Sequence, residues 1–428
     1  MDFDRYGQIK PRAEKGWIDK PNKSFSKICP FSPAAQNEDE LAAMHYPSAA
    51  SQSDLLGRYE SAYVGFVAES NFREKGSSGG LVTWVAAELM RQGLVDGVAH
   101  VVPNKSCSGP LFHYTISRDI HSLRLGAKSR YYPVELSGVL DIIRETPGRY
   151  AIVGIPCFIK AVRLGCAEDP VLKERIAVTI GLFCGHMKSA RLTESFALQM
   201  GVDLAEVERL DYRTKNPDRP ANWYRAEFTM RDGTTRGYDW WHLVDGDWGA
   251  GFFQYSACNF CDDVVAETAD ISLGDAWLEP YSSDGRGTSV VIVRSPPLAR
   301  LIQEAISRGR LALTCVDEAF VVATQAAGFR HRREGLAFRL QRRRRGLRPC
   351  KRVDPASRAL GARRKLIFIM RSAISAWSHR IFWLARALNA PRIYTLWARA
   401  ALSTYQGFAY SRGIIGRIAD RLGLPGVE

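Results

Sequence analysis

The strongest constraint on this chain is an alternation. Between Tyr63 and Phe183, short apolar runs bounded by turn residues trade places with segments of helical period. Tyr63 to Ala68 reads as a strand. Gly79 to Gln92 reads as a helix, because Leu81, Val82, Val85, Leu89 and Met90 share one face and Gly93 ends it. Val95 to Val102 is an apolar strand, and Ile116 to Leu123 opens another unit. Val139 to Glu145 is helical, Tyr150 to Gly154 a strand, Phe158 to Leu164 a helix and Ile176 to Phe183 a buried strand. Strands separated by helices build a mixed or parallel sheet with helices on its faces. From about Val207 the pattern turns to hairpins. Glu227 to Tyr238 folds back at Asp232-Gly233, a turn pair. Ile271 to Leu273 and Ser289 to Val293 are further short strands. The expected fold class is an α/β body, a mixed sheet with flanking helices. An irregular N-terminal segment precedes it and a basic α-helical C-terminal appendage follows. The expected divisions are residues 1–60, 61–205, 206–327 and 328–428.

Charge divides the chain in the same place. The net charge is +14. From Gly328 onward there are 23 Lys and Arg against 4 Asp and Glu, a net of +19, which leaves −5 for the rest. A mildly acidic body and a strongly basic C-terminal region are therefore read separately. Met1 to Lys23 has no apolar signal-like core, and nothing approaches the roughly 18 apolar residues of a spanning helix. The expectation is a cytoplasmic, reducing location, where nine cysteines serve as ligands or plain thiols rather than disulfides.

Four cysteines cluster by context. Cys157 and Cys184 each follow a buried strand, in Gly154-Ile155-Pro156-Cys157 and Leu182-Phe183-Cys184-Gly185-His186. Strand carboxyl ends are where α/β sheets place ligands. Cys258 and Cys261 form a CxxC. Four soft thiolates suit zinc or an iron–sulfur cluster. Zinc sites mostly use two close pairs, and one close pair with two single ligands leans towards a cluster. Ordinary buried thiols remain the alternative. Cys107, Cys166, Cys315 and Cys350 read as plain thiols.

Gly76-Ser77-Ser78-Gly79-Gly80 runs straight into the Leu81 helix. Small residues there leave backbone N–H groups open to a phosphate, or simply cap the helix. The stretch is neither a Walker A motif nor GxGxxG. No Ser-His-Asp or Cys-His set stands out.

Taken in order, these motifs resemble the coenzyme F420 hydrogenase/dehydrogenase beta-subunit family of iron–sulfur flavoproteins. The likeness runs from Cys29-Pro30-Phe31-Ser32 through Arg73, Gly76 to Gly80 and Gly93 to Gly97. It continues through Gly126-Ala127-Lys128-Ser129-Arg130-Tyr131, Cys157, Cys184, Tyr212-Arg213 with Lys215, and Cys258/Cys261. It closes on Ala269 to Trp277, so that it covers about residues 25–295. The resemblance implies an oxidoreductase with FAD and a [4Fe–4S] cluster, passing electrons between an iron–sulfur donor such as a ferredoxin and an organic acceptor. Coenzyme F420 is among the compatible substrates. It implies cluster ligation by Cys157, Cys184, Cys258 and Cys261. It implies flavin-phosphate contacts by Gly76, Ser77, Ser78, Gly79 and Gly80, with Lys128, Arg213 and Lys215 as charge partners. His186 becomes a candidate proton donor titrating near pH 7, and Asp275 a candidate functional carboxylate. Two departures stand out. Cys29-Pro30 is what remains of a ferredoxin-like segment, and the common Cys-His-Gly order is Cys184-Gly185-His186 here. Asp262 and Asp263, after the CxxC, either tune a cluster or cap a turn.

The likeness does not cover the basic region. Arg342 to Arg345 is a polyarginine run. Lys365 to Leu388 mixes apolar residues with Arg371, Arg380 and Arg386. Pro391 breaks the pattern, and Tyr394 to Leu402 and Phe408 to Leu422 read as helices. A helical piece packed on the body, peripheral contact with the inner face of a membrane and docking of an acidic donor all fit, with nucleic acid third. The region is expected to be separable from the cofactor site. The alternatives to the redox enzyme are a non-catalytic accessory or scaffold protein of a membrane-associated polysaccharide-synthesis assembly, and a zinc–thiolate protein.

Overall fold

The computed structural model describes residues 1–12, 23–104, 109–343, 349 and 351–421. Cys107, Cys350 and the Arg344-Arg345 half of the polyarginine run lie outside them. The expected α/β body is present. Its strands are β1 (Ser61–Val67), β2 (Gly97–Pro103), β3 (Phe112–Ser117), β4 (Tyr150–Gly154), β5 (Ile176–Leu182), β6 (Val207–Asp211), β7 (Arg225–Met230), β8 (Thr235–Asp239), β9 (Ile271–Asp275), β10 (Ser289–Val293) and β11 (Leu311–Cys315). Eight of them form one sheet, in the order β11-β1-β10-β9-β5-β4-β2-β3. The centre is parallel: β2 with β4, β4 with β5, and β5 with β9. Both flanks turn antiparallel. The sheet is mixed because the centre is built from strand–helix units and the later strands from direct returns. Val290 to Val293 and Tyr150 to Ile152 are fully buried, as central strands covered on both faces must be. The Asp232-Gly233 hairpin forms as β7 and β8, and β6 completes a separate three-stranded sheet.

The helices follow their apolar faces. α1 (Leu81–Arg91) buries Leu81, Val85 and Leu89 against the sheet. α2 (Pro156–Glu168) starts on Pro156, whose missing N–H is no loss in a first turn. Helix Glu38–His45 within the otherwise irregular first 60 residues was not read from periodicity. Its signal is a capping box, with the Asn37 side chain accepting from the Glu40 N–H and Glu40 accepting from the Asn37 N–H.

The C-terminal region is helical, as expected, with α3 (Ala326–Arg332), α4 (Glu334–Arg342), α5 (Ala362–Ala387) and α6 (Pro391–Tyr410). Pro391 opens a helix rather than only ending one, and α6 joins segments that the sequence divided. The region packs deep into the body. Ile367, Ile374, Phe382, Tyr394 and Ala398 share one apolar core with Phe196, Trp240, Phe252 and Phe253. No helix among the described residues is long and apolar enough to cross a membrane.

One ion cluster ties the sheet to α1. Arg310 donates to Glu69 at 2.9 Å and to Glu88 at 2.6 Å. The Arg310 hydrogen bond holds the Glu88 pKa down at about 2. A depressed carboxylate contributes stability that is present above its unfolded value and lost as pH falls through its folded value. Thermal stability is therefore expected to fall as pH drops from about 4.5 towards about 2. Arg310→Met is expected to flatten that limb of a melting-temperature profile while lowering the plateau at neutral pH.

Candidate functional site

Two neighbouring strands aim two cysteines at one place. β4 and β5 run parallel with Gly154 opposite Gly181. Cys157 and Cys184 lie three residues beyond those glycines, so they leave the sheet side by side at its carboxyl edge. The Cys184 N–H is anchored on the Val264 carbonyl at 2.9 Å. Cys258 sits on a 3₁₀ turn, Ser256–Phe260, that Cys261 closes. The Met187 N–H donates to Cys258 Sγ at 3.3 Å. The four thiols lie within electrostatic reach of one another, Cys261 buried and the other three partly exposed. Burial raises the Cys157 pKa well above its usual range, and the charges of Cys261, Cys184 and Cys258 raise it further. Burial likewise pushes Cys184 up to about 12 and Cys261 to about 11, with Arg332 pulling both back. Among the described residues, no three His, Cys, Asp or Glu side chains are grouped as they would be around a single ion.

Arg332 is buried to 1% exposure beside these thiols. Its Nη2 donates to the Cys184 carbonyl at 2.6 Å and to the Gly185 carbonyl at 2.8 Å. Its Nε and Nη1 have no partner. Such a group could answer the negative charge of thiolates and of whatever they bind.

Cys184 also lines a cavity of about 900 Å³. Gly76, Ser77, Ser78 and Gly80 form part of its wall, as do the first residues of α1. Gly80 caps α1 at φ 85° with no side chain to satisfy the first-turn N–H groups, and a Cβ there would strike the Phe72 carbonyl. Gly79 is packed inward, its N–H held by Ser289 Oγ at 3.0 Å. Ser77 Oγ accepts from the Ser129 N–H at 2.9 Å, and Ser78 Oγ donates to the Thr288 carbonyl at 2.8 Å. The loop is thus shaped by its own hydroxyls and offers the helix N-terminus to a ligand.

The candidate cations divide. Lys128 and Arg213 line the cavity, and each has a carboxylate partner. Lys128 pairs with Asp211 at 3.0 Å. Arg213 grips Asp275 through two bonds of 2.9 and 3.1 Å and lies over Tyr224. Lys215 does not face the cavity. Its Nζ donates to the Ser78 and Arg73 carbonyls and so braces the loop from behind. Burial, together with Lys128, Arg213 and Arg73, lowers its pKa to about 7, a sign of excess positive charge around the loop. A phosphate there would be met by that charge and by the helix N-terminus.

His186 lines the cavity, 4% exposed and stacked on Trp248 with ring centroids 4.2 Å apart. Gly185 makes room for this, since a Cβ there would run into the Trp248 indole. Burial, then Lys188, Arg371 and Arg332, hold the His186 pKa well below 6.5. This corrects the expectation of a ring titrating near pH 7: the imidazole is neutral there. Asp263 is the turn cap of the two alternatives, accepting from the Val265 and Glu267 N–H groups. Asp262 is fully buried and pairs with Lys351 at 3.0 Å.

Residues 62–141 match the model described as coenzyme F420 hydrogenase/dehydrogenase beta subunit, N-terminal, and residues 148–319 match its C-terminal counterpart. Together these are more than half of the chain. The chain belongs to the coenzyme F420 hydrogenase/dehydrogenase beta-subunit family. It is a family of oxidoreductases. The coenzyme F420 hydrogenase subunit beta of Methanothermobacter thermautotrophicus is 21% identical over 62% of this chain and 87% of its own length. The coenzyme F420-dependent sulfite reductase of Methanocaldococcus jannaschii is 26% identical over 51% of this chain, which is 33% of the reductase. A chain of the F420-reducing [NiFe] hydrogenase complex from Methanosarcina barkeri superposes with a TM-score of 0.53 at 17% identity, over 72% of this chain and 100% of its own, a likeness of fold.

All four cysteines lie inside the family match, and Arg332 lies beyond it. The region past residue 319 nonetheless closes the site. Arg339 donates to the Asn259 carbonyl inside the CxxC, and Arg352 grips Glu267 at 2.7 and 2.8 Å. Ser378 Oγ accepts from the Phe253 N–H, and Ser375 Oγ donates to the Gln254 carbonyl. These contacts tie to the site a region that the sequence left as a separable appendage. Its arginines sit in a run that reads as a surface for a membrane or an acidic partner, or as a piece packed on the body. The counter-signal in the sequence was acidic: Asp262, Asp263 and Glu267 beside a CxxC need cations from somewhere.

Proposed function

We propose that this chain is a flavin-dependent oxidoreductase that holds one [4Fe–4S] cluster on Cys157, Cys184, Cys258 and Cys261, with FAD in the adjoining cavity. The observation that carries this reading is the convergence of four thiols from three separate stretches, within electrostatic reach of one another beside the cavity that Cys184 lines. A single zinc would draw four sulfurs to about 2.3 Å from one point. Thiolates that each bind a different iron of a cluster stand further apart than that. Bound together, cluster and flavin supply one-electron and two-electron transfer between a donor and an organic acceptor.

The chain's own residues bind, orient and exclude water. The Gly80 N-cap and first turn of α1 receive phosphate oxygens, with Lys128 and the Arg213–Asp275 pair setting the charge beside them. Arg332 balances the cluster's charge and fixes the Cys184 turn. His186, neutral and stacked, orients a ligand by hydrogen bonding. Electrons come from a partner protein, an iron–sulfur donor such as a ferredoxin, and F420 is one candidate acceptor. Trp377 on α5, Leu388 just after it and Leu396 on α6 are exposed, with Arg380 over the Trp377 ring, apolar and basic groups suited to such a partner or to a membrane surface in the cytoplasm.

Anaerobic purification with iron, sulfide and flavin analysis is expected to give about four irons and one flavin per chain. Cys258→Ser is expected to reduce iron to background, whereas Cys315→Ser, at an exposed thiol, keeps the wild-type content. Equal iron in both variants rejects the ligand set. A colourless wild-type protein rejects the redox reading in favour of an accessory protein.

A further inference from the structure

The cavity carries two groups of charged side chains. Around the glycine–serine loop Lys128 pairs with Asp211 and Arg213 with Asp275, while Arg130 donates to the Leu210 carbonyl at 3.3 Å and lies over the Phe112 ring. Past Tyr131, whose ring lies 4.9 Å from that of Trp248, come His186, Lys188, Arg330, His331 and Arg371. Lys188 is answered by Asp245 and Asp247, which leaves the two arginines. Arg330 and Arg371 form no ion pair among the described residues, and Arg371 Nε is buried without a partner. The lining carboxylate of this part, Asp247, is already engaged by the Ala250 N–H and by Gln406 Nε2, both at 3.0 Å.

The histidines add unanswered ring nitrogens, and at His331 the unanswered one is a donor. His186 and His331 are 4% and 3% exposed, and each has an Nε2 without a partner. Arg339 Nη1 stands 3.4 Å from His331 Nδ1. A guanidinium can only donate, so Nδ1 accepts and the ring proton sits on Nε2. That N–H has nothing to give it to. A buried donor without an acceptor, beside cations without counter-charges, is costly in a protein standing alone. One bound anion answers both.

We propose that Arg330 and Arg371, with His186 and His331, bind an anionic group, carboxylate or phosphate, of the organic molecule that reacts in this cavity. The guanidinium fork matches either oxyanion. Arg330, His331 and Arg371 all lie past residue 319, where the family match ends, so this recognition belongs to the chain's own C-terminal region. The proposal rests on the flavin reading for the identity of the reacting molecule, and the flavin's own diphosphate offers the same chemistry.

The experiment separates those sources. It uses the full chain purified anaerobically with its cofactors, and inorganic phosphate as the probe. Phosphate binding by calorimetry and FAD affinity are both measured for wild type, Arg371→Gln, Arg371→Lys, Arg330→Gln and the exposed control Arg231→Gln. Arg371→Gln and Arg330→Gln are each expected to weaken phosphate binding about tenfold or more, the loss of one charge-assisted hydrogen bond. FAD affinity stays at the wild-type level, Arg371→Lys keeps most of the binding, and Arg231→Gln behaves as wild type. Equal phosphate affinity throughout, or no saturable binding to wild type, overturns the proposal. So does competition between phosphate and FAD with a loss of FAD affinity in Arg371→Gln, because the cations then serve the flavin. Arg371-dependent phosphate binding by a chain that holds no flavin keeps the anion site and rejects the flavin reading.

Discussion

A chain truncated after Ala327 is expected to lose its iron, its flavin and its cooperative unfolding transition together. Phe253 is fully buried, with ring centroids 5.5 Å from those of Phe382 and Tyr394, both supplied by the removed helices. Exposing the face that these aromatics cover costs more than deleting one of them, which alone runs to about 3–5 kcal/mol. A typical domain holds only about 5–15 kcal/mol in reserve. Charge makes the loss worse. Glu38, Asp262 and Glu267 are buried carboxylates that face Arg352, and Asp262 also faces Lys351. Burial already pushes the Glu267 pKa up to about 7 with Arg352 in place. Without that arginine the carboxylate must take up a proton or draw in water. Circular dichroism melts with iron and flavin analysis check this. A truncated chain with a sharp melt and full iron would show that the removed region only rests on the surface.

Arg332→Gln has the second largest expected effect, and it acts at a single side chain. The substitution removes a buried cation from beside Cys184, Cys258 and Cys261. It also leaves the Cys184 and Gly185 carbonyls without their guanidinium donor. Breaking one partner of a buried charge assembly costs about 3–5 kcal/mol. The expected result is iron content reduced to a small fraction of wild type. Any cluster that remains is expected to be harder to reduce, since a positive charge that favoured the added electron is gone. Arg332→Lys keeps the charge without the fork, and should fall between the two in iron content and in a potentiometric titration. Wild-type iron and an unshifted potential in Arg332→Gln would show that this arginine only packs.

The central sheet was legible because its signal is local. A run such as Val290-Val291-Ile292-Val293 declares a buried strand without reference to the rest of the chain. The cysteine positions were legible for a related reason, since a thiol just past a buried strand can only lie at the sheet's edge. Their joint role came from the resemblance, because spacing alone leaves buried thiols open. What failed was the basic region. Arg332, Arg339 and Arg352 differ from solvated arginines only in their partners, and Glu267 stands 85 residues from Arg352. Composition records a charge without recording its neighbour. The same gap hid Lys215, whose target is the backbone of the loop it was expected to join in facing the ligand. It also hid the neutrality of His186, which burial and distant cations impose.

The latch formed by Arg332, Arg339, Lys351 and Arg352 ties the cysteine site to residues far later in the chain. A ribosome makes Cys157, Cys184 and the CxxC well before it makes the residues that enclose them. During that interval the four thiols have neither their counter-charges nor their apolar roof. The site around these thiols is complete only once the helices beyond residue 328 have docked on the body.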